Sequence, residues 1–322
     1  MRAVLVIFTI ANAPGHSHTP IYPSRPITIV VPLAAGTSMD VLVRLYAAKL
    51  SQRLGQRILV DNRTGASSMI GTNAVAKANA DGYTLLVSSI GAMALNPIVY
   101  RHIAYDPEND FVPIALYAKS PFILISNPAL PIRSVSELAA FAKSSLTPLT
   151  YSSVGNGSPQ HLLMEFVSRR LGLQMTHVTY RNTTQAVTDI VGGHVSVGFA
   201  EAGASLPVIT DGGVRAIAVS AANRLPLLPD VSSLAEVLNV PDFEMMGWHI
   251  LFAPANTPDH IINRLHHEMR TLMAEPEMRQ HALDIGLIPL ETSSIERIRD
   301  FVRSERNKWG SLVRGLGLAG SQ

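Results

Sequence analysis

The sequence contains no cysteine, which excludes disulfide bonds and any reaction that needs a thiolate. It is also poor in charge: 16% of its 322 residues are charged, with 26 basic residues against 24 acidic ones. The charges are scattered rather than gathered into runs, which argues against a nucleic acid as a partner. After the first residues, no stretch approaches the roughly 18 consecutive apolar residues that a membrane-spanning helix needs. With 47% hydrophobic residues, the chain can bury a sizeable core, and its length suggests two domains.

The motifs of common enzymes are missing as well. No G-x-S-x-G nucleophile elbow and no P-loop occurs. Gly315, Gly317 and Gly320 match a dinucleotide-binding motif by letters, but they follow a helical pattern instead of a strand. Ser158 and His161 have the spacing of a helix cap, which explains the serine without nucleophilic catalysis. The histidines have no metal-ligand spacing and the glycine loops carry no carboxylate pair, so we expect no enzyme activity, metal or cofactor.

The amino terminus has the features of a short secretory signal peptide. An apolar run at residues 3–11 is followed by the small residues Ala11 and Ala13, which suit a cleavage site. Only one basic residue precedes the run, and Pro14 would follow a cut after Ala13. We predict a signal peptide over residues 1–20 and export to the periplasm; the alternatives are a misplaced start codon and a buried strand.

A strand, a turn of small residues and a capped helix recur along the chain. In the first copy, residues 27–54, Thr37 and Asp40 form a capping box after the turn. In the second copy, Ser67 or Ser68 is expected to cap the helix. Such turns present free backbone N–H groups that bind a small anion, and several of them can face one cleft. Further copies follow at residues 151–172 and 178–193.

The remaining polar groups are neutral donors. Ser88 and Ser89 end a predicted strand, where ligands of open α/β sheets bind, although they could equally hydrogen-bond their own loop. The alternation of strands and helices predicts an α/β fold with a largely parallel sheet. Donors without a nucleophile or base are typical of a protein that binds an anion, and the amides of residues 36–38 and 157–160 are the strongest candidates.

Several motifs resemble one family over residues 22–318. They include YPSRPITIVVP at position 22, LGQRILVDNRTGA at 54, GNGSPQHL at 155 and RLPLLPDV at 224. On these motifs the chain is identified as a member of the Bug family, the extracytoplasmic solute receptors of tripartite tricarboxylate transporters. The resemblance implies a periplasmic-binding-protein-like (type II-like) fold of two α/β lobes. It also implies a small carboxylate ligand closed between the lobes and delivered to membrane permease subunits.

The order of the predicted elements sets the expected lobe boundaries, and the resemblance implies the ligand contacts. Lobe 1 is expected at residues 22–121 plus 247–322 and lobe 2 at 122–246. The implied ligand-binding residues are Ala35, Gly36, Thr37, Ser38, Asp40, Ser88, Ser89, Ser153, Gly157, Ser158, His161, Tyr180, Thr183, Ala200 and Glu201.

The chain departs from the family pattern in three places. Thr37 replaces a glycine in the first turn, and Ser67 and Ser68 replace a glycine pair in the second. Ala200 stands where an acidic residue is common, which argues against an amino-acid ligand. We expect a monomeric solute-binding protein. A receptor that presents its closed form to a signalling partner uses the same site and is the alternative; an enzyme is less favoured.

Overall fold

The computed structural model describes residues 22–322, so the predicted signal peptide at residues 1–20 lies outside the described residues. Strands and helices alternate as predicted. The first part contains β1 (Ile27–Val31), α1 (Ser38–Leu54), β2 (Ile58–Asn62), α2 (Met69–Ala76), β3 (Thr84–Ser88), a π-helical turn (Gly91–Leu95) and α3 (Asn96–Val99). The middle contains β4 (Phe111–Ser126), α4 (Val135–Ser144), β5 (Leu149–Ser153), α5 (Pro159–Leu171), β6 (Met175–Thr179), α6 (Thr183–Val191), β7 (Val197–Glu201), α7 (Ala202–Thr210), β8 (Arg215–Val219) and α8 (Leu234–Val237). The last part contains β9 (Met246–Pro254), α9 (Asp259–Met273), α10 (Pro276–Asp284), β10 (Ile288–Pro289) and α11 (Ile295–Gly315).

The strands form one mixed sheet in the order β2-β1-β3-β9-β4-β7-β5-β6, with β8 and β10 also paired to β4. The pairs within β2-β1-β3 and within β7-β5-β6 are parallel. The two central strands, β9 and β4, run antiparallel to their neighbours. Two parallel α/β units therefore flank an antiparallel centre.

Strand β4 belongs to both units. It pairs with β9 as far as Pro121, which faces Met246, and with β7 from Phe122, which faces Glu201. The chain returns at Met245, whose N–H donates to the Ser220 carbonyl. This change of partner lies at the boundary that the sequence predicts between the two lobes.

Helices cover the sheet with the apolar faces that their periodicity predicts. On one unit, Leu42 and Leu50 of α1 and Met269 of α9 are fully buried in one core cluster that also contains residues of β1. Each such side chain contributes roughly 1.5–3 kcal/mol of burial free energy. Another cluster joins Leu163 of α5 to Trp309 of α11. Within residues 22–322, no helix has both the length and the apolar character needed to cross a membrane.

The start of α2 differs from the sequence prediction. Ser68 has a left-handed backbone (φ 71°) and makes no capping hydrogen bond through its side chain. Ser67 instead shares a hydrogen bond with the Tyr100 hydroxyl, at 2.8 Å. The prediction of a serine cap here was wrong, because three consecutive residues with positive φ leave the serines in a tight turn rather than in the extended geometry of a cap.

Candidate functional site

The turn before α1 is organised by Asp40, which is 2% exposed. Its carboxylate accepts hydrogen bonds from the Gly36 N–H at 2.9 Å, from Asn62 Nδ2 at 2.9 Å and from Arg44 Nε at 3.0 Å. Burial opposes ionisation, but these bonds outweigh it and lower the pKa of Asp40. Thr37 caps the helix as predicted. Asp40 is therefore an internal anion that holds the turn and already occupies the Gly36 amide.

The turn before α5 is filled by one of its own side chains too. The Gly157 N–H donates to His161 Nδ1 at 3.1 Å, and the Ser158 N–H donates to the Gly155 carbonyl at 3.2 Å. Ser158 caps the helix by accepting from the His161 N–H, as predicted. Of the amides expected here as anion donors, only that of Gln160 has no partner among the described residues.

Three stacked rings lie beside this turn. The ring centroids of His161 and His177 are 4.5 Å apart, and those of His177 and Tyr151 are 4.8 Å apart. His177 Nε2 lies 2.6 Å from Ser153 Oγ. Burial, and then the neighbouring His161, lower the pKa of His177 to about 4; burial also lowers the pKa of His161. Both rings are therefore neutral at pH 7.

A cavity of about 590 Å³ opens between the turn before α1 and the amino-terminal ends of α6 and α7. Six of the sequence-predicted site residues line it: Ala35, Gly36, Thr37, Ser38, Thr183 and Glu201. The other lining residues are Ala34, Val41, Asn182, Thr184, Gly203, Ala204, Pro207, Asp284 and Ile285. No lysine, arginine or histidine is among them.

Free backbone donors lie in the cavity wall. Asn182 caps α6 by accepting from the Gln185 N–H at 2.9 Å, which leaves the amides of Thr183 and Thr184 without a protein partner in the described chain. The Ser38 amide at the start of α1 is likewise unpaired. Because the positive ends of helix dipoles coincide with these donors, the wall favours an anionic group.

Glu201 is the exception to this electropositive wall. It ends β7 and precedes α7, is partly buried and makes no capping bond, and its carboxylate has no hydrogen-bond or ion-pair partner among the described residues. Burial raises the pKa of Glu201 to about 7. Its neighbour Ala200, 2% exposed, packs into the core with Ile123 because successive strand residues point to opposite faces.

The other predicted site residues lie outside this cavity. Ser88 is fully buried, and Ser89 Oγ accepts from the Trp248 N–H at 3.4 Å. The Tyr180 hydroxyl donates to Asp189 at 2.8 Å. Six more predicted residues also lie outside the cavity: Asp40, Ser153, Gly157, Ser158, His161 and Ala200. For all nine, including Ser88, Ser89 and Tyr180, a direct contact with ligand stays a prediction.

At two glycines, one beside the cavity and one in the turn before α5, the two α/β units come so close that an added Cβ would clash. A Cβ added to Gly203 of α7 would lie 1.8 Å from Ser38 Oγ and 2.6 Å from the Ile285 carbonyl oxygen. A Cβ added to Gly157 would lie 2.4 Å from Val99 Cγ1. The two α/β units are therefore in close contact at both places.

Sequence reasoning missed part of the cavity wall. The pattern of Asn182 followed by two threonines is a capping signal that could have identified Thr184 as well as Thr183. Asp284 and Ile285 end a helix that the sequence presents as packing, and nothing local indicates that they meet α7.

Residues 42–318 match the sequence profile of the tripartite tricarboxylate transporter family receptor, TctC. The chain belongs to this family. This receptor is 33% identical over 297 residues to Protein BugT of Bordetella pertussis (strain Tohama I), an alignment that covers 92% of this chain and 90% of BugT. Receptors of the family are periplasmic solute-binding proteins and not enzymes, so the predicted class is confirmed.

Two solved structures extend the likeness to the fold. R. palustris Rpa4515 with adipate has a TM-score of 0.87 and 33% identity, with 92% of this receptor and 99% of that chain covered. MatC (Rpa3494) from Rhodopseudomonas palustris with bound malate has a TM-score of 0.82 and 29% identity, with 91% and 100% covered. The predicted α/β periplasmic-binding-protein fold is confirmed.

Proposed function

We propose that this receptor captures a small organic acid in the 590 Å³ cavity and delivers it to the permease subunits of a tripartite tricarboxylate transporter. The observation that carries the proposal is the convergence of unpaired helix amides from α1 and α6 on a cavity without basic side chains. Neutral donors of this kind bind a carboxylate without the desolvation cost of a buried lysine or arginine. The adipate and malate bound to the two related structures support this ligand class.

The proposed mechanism is closure of two lobes, residues 22–121 plus 247–322 and residues 122–246. The cavity takes its wall from both: Ser38 and Ile285 from the first, Thr183 and Gly203 from the second. The hinge would lie where β4 changes partner after Pro121 and where the chain returns. Closure removes water from the carboxylate and strengthens its hydrogen bonds, because the local dielectric falls.

We further propose that the chain acts as a monomer in the periplasm, after removal of a signal peptide at residues 1–20. The apolar run near the amino terminus and the periplasmic setting of the family support this location.

A thermal-shift screen of the chain from Tyr22 onward tests the ligand class, with mono-, di- and tricarboxylates and uncharged solutes as probes and calorimetry on the hits. A ligand at about 100 times its Kd adds roughly 2.7 kcal/mol to the apparent stability. If no carboxylate shifts the Tm of folded, ligand-free protein, the proposal fails.

Two substitutions test the site by removing single backbone donors. Ser38 and Thr183 are the first residues of their helices, and the residues before them have the extended backbone that proline requires. Ser38→Pro and Thr183→Pro therefore delete one N–H each in a position that tolerates proline. We expect each to weaken carboxylate binding roughly 10- to 100-fold, the range for a hydrogen bond to a charged group. Ser38→Ala and Thr183→Ala are the matched controls, because they keep the amide.

A further inference from the structure

One side chain of α5 joins the two α/β units at the end of α11. Arg169 is in the last turn of α5, in the unit that contains β5, β6 and β7. Its Nη1 donates to the Gly315 carbonyl at 3.2 Å, and its Nη2 donates to the Leu316 carbonyl. The carboxyl end of a helix carries unpaired carbonyls and the negative end of the dipole, so a guanidinium there is favourable on both counts.

The segment after α11, residues 316–322, is held by the other unit. The Gly320 N–H donates to the Ile98 carbonyl at 3.0 Å, and the Gln322 N–H donates to the Val99 carbonyl at 3.2 Å. These two acceptors are at the end of α3, which follows β3 in the unit of β1, β2 and β3. The partners of the Arg169 guanidinium are therefore fixed to the unit to which α5 does not belong.

The amino-terminal end of α5 contacts the same part of the other unit. Asn156 Nδ2 donates to Gln322 Oε1 at 3.4 Å, and the neighbouring Gly157 lies against Val99. Helix α5 thus contacts the other unit at both of its ends. We call this line of contact the α5 seam: Asn156, Gly157 and Arg169 on one side, and Val99, Gly315, Leu316 and Gln322 on the other. None of these residues lines the 590 Å³ cavity.

We infer that Arg169 is a positioning residue, which sets the affinity for ligand by holding the two units in the form in which the cavity walls meet. The inference rests on the proposed function, because it needs a ligand held between the units. When the units move apart, the bonds of Arg169 are exchanged for bonds to water, and the α5 seam therefore stabilises the form described here relative to an open one. Arg169 is exposed, so water competes for its bonds and the expected effect is moderate.

Arg169→Gln tests the inference by calorimetry with a carboxylate that binds the chain from Tyr22 onward. We expect its Kd to rise roughly 3- to 10-fold, the range for a cation at a helix carboxyl end. Every carboxylate that binds should lose affinity by the same factor, since no bond to the ligand itself is removed. Arg170→Gln is the matched control: it removes the same charge from the same turn, and Arg170 makes no hydrogen bond to the other unit within residues 22–322.

A second measurement needs no ligand. Spin labels on Lys77→Cys and Lys143→Cys place one exposed label on each unit of a chain that otherwise contains no cysteine. Their distance distribution reports how far apart the units are. We expect Arg169→Gln to increase the population at longer distances and Arg170→Gln to leave it unchanged.

The outcomes separate the two proposals. If a carboxylate binds the wild type and Arg169→Gln equally tightly, or if Arg170→Gln weakens binding as much, the inference fails and the carboxylate site stands; a lower ligand-free Tm with an unchanged Kd would assign Arg169 to folding alone. If the wild type binds no carboxylate, the proposed function fails, and the label distances decide about the α5 seam. In that case an unchanged distribution in Arg169→Gln overturns the inference.

Discussion

Gly203 is the position where one added methyl group should separate ligand binding from folding. It is the second residue of α7, without a positive φ, so alanine is favoured there by up to about 1 kcal/mol in helix propensity. In the closed geometry, however, the new Cβ lies 1.8 Å from Ser38 Oγ and 2.6 Å from the Ile285 carbonyl oxygen. The serine hydroxyl can rotate away, but the carbonyl belongs to the backbone.

The expected magnitude follows from these distances. Ordinary contact begins near 3.4 Å, so α7 and Ile285 must move apart by 3.4 minus 2.6, or about 0.8 Å. Overpacking of this kind costs roughly 1–3 kcal/mol, and the cost applies only to the closed form. We therefore expect Gly203→Ala to weaken carboxylate binding about 5- to 150-fold.

Calorimetric Kd values and thermal unfolding without ligand form the assay. Gly315→Ala is the control, because Gly315 ends α11 with no atom within 4 Å of its added Cβ and no positive φ. The ligand-free Tm of Gly203→Ala should stay equal or rise. An unchanged Kd would refute the reasoning, since α7 and Ser38 would then not need to meet around the ligand.

Three further substitutions have expected outcomes. Burial raises the pKa of Glu201 to about 7. Its carboxyl group therefore ionises at lower pH in the unfolded state than in the folded state, and the free energy of unfolding falls by at most about 3 kcal/mol between pH 4.5 and 8. Urea unfolding of Glu201→Gln should not show this loss. The pKa of His177 is lowered to about 4, so its contribution to the free energy of unfolding is complete above pH 6.5 and is lost as the pH falls toward 4. Between pH 7 and 4.5, His177→Gln should lose about 2 kcal/mol less of this free energy than wild type. An equal loss in the two proteins would contradict this. Gly157→Ala places a methyl group 2.4 Å from Val99 Cγ1 at a residue whose φ is +74°, so it should weaken ligand binding and lower stability. Adding Val99→Ala removes the clash and should restore the affinity. It should not recover the roughly 1 kcal/mol of stability lost to backbone strain, as unfolding curves of the double mutant would show.

Local patterns were enough to predict the elements around the site. Thr37 and Ser158 cap α1 and α5 as their spacing predicts, because a cap involves residues three positions apart in one turn. The same reasoning wrongly predicted free amides at Gly36 and Gly157. Each is occupied by a side chain four residues later, and which way that side chain turns depends on tertiary packing that periodicity does not encode.

Both Ala200 and Glu201 were predicted as site residues, and the sequence could not decide which of the two faces the cavity. A shift of one position along β7 reverses the face to which a side chain points, so the choice between Ala200 and Glu201 depends on the register of β7 against β4. Residues that arrive from distant parts of the chain, such as Ile285, carry no local signal at all.

Asp40, beside the cavity, and Glu201, in its wall, differ in how they are paired. Asp40 accepts hydrogen bonds from Gly36, Arg44 and Asn62, all in the same α/β unit, and these bonds hold the turn before α1 without a ligand. A preorganised turn lowers the entropic cost of binding for any carboxylate, and it therefore raises affinity without choosing among ligands. Glu201 has no such partners, so it can accept from a ligand that brings a donor or, when protonated, donate to a ligand oxygen itself. Its unpaired charge reduces stability in the empty receptor, and that cost is consistent with a residue kept for selectivity rather than for folding.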